Sequence, residues 1–321
     1  MTSSQPLRRT FTKGVGEGAA GIALATGSHG PATAESTDGA IPLNAGGRSE
    51  KGGDRGLRLH RFDQWTGNTT PVRQISDEFD WGFVHIDGKG RLFYCTDGAD
   101  RGTGRFPKGG GCRVFTYRGD PADGCLTEFG RRNSFGSNPT MVWVDPTGDY
   151  VTCFIHTTPG LFCRPERLAD GGYRIVPQSA GVSLVLFPRD RDGKLADPLH
   201  NVTYPLGDMP SFLHSCVWEP RGRYFVVADK GKCKLYTYTV DHAAKALKPL
   251  AHLDLPTGTA PRQLRFHPGK AWLFLNHESA NKVIAVHADE HGNMATINEV
   301  GPCPRRGRAG FRPAATSRSR A

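Results

Sequence analysis

The sequence predicts an all-β protein, a β-propeller of about four full blades and a half-blade. Two observations carry this reading. Short runs rich in Val, Phe, Tyr and Leu are set among 41 glycines and 23 prolines, a punctuation that points away from a helical bundle. From residue 57 onward, a unit with strand-like runs in a fixed order recurs four times. No stretch approaches the roughly 20 consecutive apolar residues of a membrane-spanning helix, and no long heptad pattern is present.

Each copy opens on a strand that ends in an acid or His followed by Gly or Pro. These are Phe83-Val84-His85-Ile86-Asp87-Gly88, Met141-Val142-Trp143-Val144-Asp145-Pro146, Cys216-Val217-Trp218-Glu219-Pro220 and Leu264-Arg265-Phe266-His267-Pro268. Pro and Gly set the dihedrals of the tight turn that follows. A second apolar run comes next, beginning at Arg91, Asp149, Arg223 and Trp272, then a third at Arg113, Ser183, Lys234 and Lys282. A polar turn and a weaker fourth strand complete the copy. The anchors Asp87, Asp145, Glu219 and His267 are 58, 74 and 48 positions apart, which suits propeller blades packing around an axis.

Ahead of these copies, Gly56 to Asp63 and Val72 to Ile75 read as the third and fourth strands of an N-terminal half-blade. Residues 35–56, rich in Gly, Ser, Asp and Glu, are expected to form a flexible linker. Residues 1–34 read as a twin-arginine export signal. Arg8-Arg9-Thr10-Phe11-Thr12-Lys13 fits R-R-x-F-x-K, a weakly apolar segment follows, and Ala32-Thr33-Ala34 fits a small-residue cleavage site. The expected location is periplasmic or secreted, or cytoplasmic if the signal does not function.

The formal charge of +10 is unevenly spread. Residues 61–300 carry 28 basic and 26 acidic side chains, whereas 301–321 carry six Arg and no acid. A nucleic-acid binder needs a dense basic face on its folded body, so that class is excluded. The eight cysteines form no C-x-x-C pair, which removes zinc-ribbon and thioredoxin-like readings. Cys95, Cys153, Cys216 and Cys233 fall in or beside strand-like runs as small buried residues. A Cys112–Cys125 disulfide stays open for an exported chain.

The repeat phase also places ionisable residues. In a blade of alternating strands, the loop entering the first strand and the loop between the second and third lie on one face. Aligning Glu219-Pro220 with His267-Pro268 puts His214 and Arg262 at one repeat position, and Glu278 follows the second strand back to that face. Lys230 and His156 hold the position of Glu278 in other copies. His85 and His267 belong to the structural strand and turn.

Two segments resemble the seven-bladed propeller lactonase family, which includes propeller-type 6-phosphogluconolactonase and fungal 3-carboxymuconate cyclase (the cycloisomerase 2 family). Residues 214–224, His-Ser-Cys-Val-Trp-Glu-Pro-Arg-Gly-Arg-Tyr, are similar to its H-S-x-x-x-x-P-x-G-R-Y segment. Pro261-Arg262-Gln263-Leu264-Arg265-Phe266-His267-Pro268 with Asn276-His277-Glu278 resembles its P-R-x-L-x-F-H-P and N-E segments. The resemblance runs from about residue 57 to 300. It implies a small-molecule lactone substrate, a sugar or carboxylated lactone in carbohydrate metabolism, and catalysis by His214, Glu278 and Arg262. Arg262 would bind a substrate carboxylate or phosphate and polarise the carbonyl, with Lys230 and His156 as further substrate contacts. His214 or Glu278 would activate water and then protonate the leaving alkoxide, or the same groups would run lactonisation. No metal or other cofactor is expected, since no H-E-x-x-H or clustered carboxylate pattern occurs.

After Val300 the strand pattern stops, and 301–321 read as a disordered basic tail or as coding sequence in another frame. Seven blades closed by a half-blade would need roughly 100 further residues at ~40–45 per blade. The family's further arginine has no counterpart here. An incomplete ring leaves blade edges unpaired, so self-association is expected, and truncation would impair activity. The competing reading is a non-catalytic propeller scaffold or inactive remnant. A redox propeller is disfavoured by the lack of C-x-x-C-H.

Overall fold

The computed structural model describes residues 40–47, 56–78, 81–87, 91–97, 113–134, 139–156, 163–177, 183–204 and 211–301. They form strands without helices, in five propeller sheets and one extra hairpin. No helix among the described residues is long and apolar enough to cross a membrane.

Four sheets have four strands each. Blade one runs from the inside outward as β4 (Trp81–Ile86), β5 (Leu92–Asp97), β6 (Arg113–Gly119) and β7 (Leu126–Asn133). Blade two is β8 (Pro139–Val144), β9 (Tyr150–Ile155), β12 (Ser183–Pro188) and β13 (His200–Thr203). Blade three is β14 (Leu213–Trp218), β15 (Phe225–Asp229), β16 (Lys234–Asp241) and β17 (Ala246–Asp254). Blade four is β18 (Pro261–Phe266), β19 (Trp272–His277), β20 (Lys282–Ala288) and β21 (Met294–Val300). All pairings are antiparallel, and the first strands of successive blades pack against one another. The 74-residue anchor spacing is explained by a hairpin of β10 (Cys163–Arg167) and β11 (Tyr173–Pro177), inserted between the second and third strands of blade two.

The anchors do local work that accounts for their recurrence. The Asp87 carboxylate accepts the backbone N–H groups of Arg91 and Leu92, each at 3.1 Å, and Asp145 accepts that of Tyr150 at 2.8 Å. Glu219 does the same for Arg221 at 3.0 Å. His267 substitutes an imidazole acceptor, its Nδ1 taking the Gly269 N–H at 3.0 Å. Each anchor thereby satisfies turn donors that would otherwise go unpaired.

The linker reading of residues 35–56 needs correction at its centre. Residues 40–47 form β1, paired antiparallel with β2 (Gly56–Asp63), which pairs in turn with β3 (Thr69–Ser76). The N-terminal sheet thus holds the second to fourth strands of a blade rather than the third and fourth alone. Despite its low apolar content, β1 is held by its backbone ladder and by close approach. A Cβ on Gly46 would lie 2.6 Å from the Trp81 Cβ, and the Asn44 amide donates to the Gly124 carbonyl at 3.0 Å. The export signal at 1–34 and the tail from 302 lie outside the described residues.

The core lies between blades. Phe154 of blade two meets Phe225 of blade three edge-on, with ring centroids 5.9 Å apart, and both rings are fully buried. Each such ring stabilises the stack by about 1.5–3 kcal/mol. Leu273, Leu275, Ile284 and Val286 of blade four pack against Val226, Ala228 and Leu235 of blade three. Cys95, Cys125, Cys153, Cys216 and Cys233 are buried as thiols rather than disulfides, so Cys125 is unbridged, and Cys112 lies outside the described residues.

Candidate active site

The first strand of each blade carries a register shift at the same place. Leu213 faces Asp229 and Ser215 faces Ala228, so His214 is the extra residue; Pro261 faces His277 and Gln263 faces Asn276, so Arg262 is the extra one. Thr140 has this role in blade two, and a shift between Trp81 and Val84 marks blade one. A bulge re-aims a side chain out of the strict alternation of a strand. The repeat position shared by His214 and Arg262 is therefore also a shared backbone distortion, which turns both side chains to the inner rim.

There they meet. Arg262 Nε donates to His214 Nε2 at 2.9 Å, and Arg262 Nη1 lies 3.6 Å from Glu278 Oε2. Lys230 Nζ holds the same carboxylate oxygen at 2.6 Å. Glu278 and Lys230 sit just beyond the second strands, where Glu278 N–H donates to the Ala260 carbonyl and Lys230 N–H to that of Phe212, both at 2.9 Å. His156, the counterpart from blade two, stands nearly perpendicular to His214 with ring centroids 6.1 Å apart. The structure thus gathers His214, Arg262, Glu278, Lys230 and His156 on one rim.

The electrostatics follow from this packing. Burial, then the Arg262, His156 and Lys230 charges, push His214 down to about 4, with Glu278 opposing them. Its ring is therefore neutral at neutral pH, and because Nε2 accepts from Arg262, its proton is assigned to Nδ1. Burial raises Glu278, but the Lys230 hydrogen bond and charge, helped by Arg262 and His214, outweigh it and hold the carboxyl below its usual range. The result is a neutral imidazole acceptor beside an ionised carboxylate and two cations.

Two residues at this rim were not picked out from the sequence. Phe212 stacks on His156 with centroids 5.0 Å apart and planes 17° from parallel. Asp229, fully buried, accepts the Ser211 hydroxyl and the N–H groups of Phe212 at 2.9 Å and Lys232 at 3.0 Å. A signal for Asp229 existed: it ends a second strand at the position of Asp97 and His277, where an aliphatic residue is otherwise expected. His85 packs on Trp143 at 4.7 Å, away from this cluster, and its burial drives it down to about 4.

Radial four-stranded blades thus place an imidazole, a carboxylate and two cations at the inner strand ends of a β-propeller. The family description "Lactonase, 7-bladed beta-propeller" matches residues 44–320, and the chain belongs to this family. The match begins inside β1, ahead of the residue-57 start suggested by the motifs. A 6-phosphogluconolactonase of Bacillus subtilis (strain 168) is 29% identical over 126 residues, covering 37% of this chain and 35% of that protein. The periplasmic gluconolactonase of Pseudomonas aeruginosa shares the fold at a TM-score of 0.67 and 20% identity, over 84% of this chain and 69% of that one. A putative 6-phosphogluconolactonase from Bacteroides fragilis NCTC 9343 aligns at a TM-score of 0.64 and 18% identity, with the same coverages of 84% and 69%. The chain thus matches about a third of the curated relative's length.

Proposed function

We propose that the protein is a lactonase that hydrolyses a sugar or carboxylated lactone, using acid–base groups of its own chain. The observation that carries this is the Arg262 guanidinium set between the neutral His214 imidazole, 2.9 Å away, and the ionised Glu278 carboxylate, 3.6 Å away. His214 Nε2 takes a proton from water as the water oxygen bonds to the lactone carbonyl carbon. Arg262 stabilises the resulting oxyanion and orients the substrate. The ring C–O bond then breaks, and the imidazolium returns its proton to the alkoxide, so that one lactone and one water give one hydroxy acid. Lys230 keeps Glu278 ionised, and that negative charge favours the transient imidazolium. Run backwards, the same transfers close a lactone.

Lactone hydrolysis by the full chain, with and without His214→Gln, tests this reading. A fall of about 10²–10⁴-fold in kcat is expected for the loss of a general base. Undiminished turnover in the variant overturns the assignment. Export through the Arg8-Arg9 leader belongs to the same proposal, supported by the R-R-x-F-x-K pattern. Replacing both arginines with lysine should retain the protein in the cytoplasmic fraction.

A further inference from the structure

At rest His214, the candidate base, is capped. A guanidinium N–H can only donate, so the His214 Nε2 lone pair is already occupied by Arg262 in the 2.9 Å contact. The other ring nitrogen, Nδ1, is buried and has no hydrogen-bond partner among the described residues, so the imidazole has no alternative acceptor to offer. Glu278 is covered by Lys230 at 2.6 Å and approached by Arg262 at 3.6 Å. Water activation by His214 cannot begin until the Arg262 contact opens.

Pairing geometry indicates which contact opens, and to what. With His214 neutral, Arg262 and Lys230 face Glu278, with the His156 ring beside them and the Asp229 carboxylate turned to the Ser211 hydroxyl and the Phe212 and Lys232 backbone N–H groups. Lys230 is engaged in the shorter pair, whereas Arg262 spends its Nε on a neutral ring and its side chain is 45% exposed. A planar guanidinium gains more from a bidentate oxyanion than from an imidazole nitrogen.

We propose that Arg262 is a substrate-operated latch: an oxyanion group on the lactone draws the guanidinium off His214 Nε2 and so frees the base only when an anionic substrate is bound. This rests on the lactonase reading and adds a specificity mechanism to it. The ligand can move the equilibrium because it binds the swung-out arginine and not the capped one. Opening also removes a cation from beside the imidazole, so the freed nitrogen becomes the stronger base. A lactone lacking the anion leaves the latch shut, and a free oxyanion should open it in trans.

The test follows the His214 ring nitrogens by NMR in the full chain labelled with ¹⁵N-histidine, the signal being assigned by its loss in His214→Gln. Acetate is added in one arm and inorganic phosphate in the other, to separate a carboxylate from a phosphate as the key. In the arm that fits, the Nε2 resonance and the His214 titration midpoint shift, the midpoint upward. Arg262→Met should show the raised midpoint without anion and no further response. A His214 signal indifferent to both anions, or one that responds equally in Arg262→Met, overturns the latch. In parallel, hydrolysis of a neutral lactone should be stimulated about tenfold or more by the effective anion in the unmodified chain and not in Arg262→Met. Turnover without such stimulation also counts against the latch. The NMR result stands even if no lactone is hydrolysed, so failure of the latch and failure of the lactonase reading are told apart.

Discussion

The buried Asp229 carboxylate accepts the backbone N–H of Phe212 at 2.9 Å, tying the end of β15 to the residue that leads into the His214 bulge. The same carboxylate takes the Lys232 N–H and the Ser211 hydroxyl, so one group fixes the approach to His214 and the turn carrying Lys230. Asp229→Asn keeps the shape but halves the acceptor capacity and removes the charge. It should cost about 1–3 kcal/mol in urea unfolding. Because Asp229 positions rather than reacts, kcat should fall while the acid limb of the pH–rate profile keeps its midpoint. A shifted midpoint would mean that Asp229 acts through charge on His214.

Acid sensitivity should begin well above the carboxylate range. His214 and His85 are each held at about 4 by burial, and burial also lowers His277. Their folded-state values lie below the ordinary 6.5, so the unfolded chain binds more protons between the two. The stability they contribute is complete above pH 6.5 and is lost as pH falls toward 4. Each of His214 and His85 accounts for up to about 3 kcal/mol over that window. Urea midpoints measured between pH 7.5 and 4.5 should fall, and His214→Gln should remove about one proton from the slope. An unchanged slope would show that His214 titrates normally.

The lysine at the rim gives a prediction of its own. Lys230 is the main influence holding Glu278 below its usual range, through a 2.6 Å contact. In Lys230→Met the Glu278 carboxyl should titrate at higher pH, and with one cation gone from beside His214 the acid limb of activity should also move up. The pair is partly exposed, so the stability change should stay within about 1 kcal/mol. If the profile holds still while stability drops, Lys230 is a structural partner only.

Most of the propeller could be read from the anchors because their side chains perform the same turn chemistry in each copy, visible at Asp87, Asp145, Glu219 and His267. The convergence of the candidate residues was legible for a related reason: His214, Arg262 and Glu278 sit at fixed offsets from those anchors. What stayed hidden leaves no side-chain signature. The bulges at His214 and Arg262 are backbone events that ordinary residues accommodate. Strand β1 escaped because glycines at 46 and 47 suggest a linker, whereas Gly46 is required by the approach of Trp81. Phe212 looks like a core residue until His156, far away in sequence, is placed against it.

Gly82 tests whether the bulge is a property of the fold or of the site. It is the blade-one counterpart of Thr140, His214 and Arg262, five residues before its anchor in each case. A Cβ here would lie 2.5 Å from the Thr96 Oγ1 and 3.3 Å from the Pro139 carbonyl. That hydroxyl already accepts the Phe83 N–H at 2.7 Å, so it cannot retreat without leaving a donor unpaired. Gly82→Ala should therefore cost about 1–3 kcal/mol of stability. Thr96→Ala alone loses the acceptor, but in the double variant the clash is gone as well. The two costs should then fall short of additivity by about 0.5–3 kcal/mol. Additive costs would mean that the blade-one strand relaxes independently of Thr96, and that its bulge is not held by the contact described here.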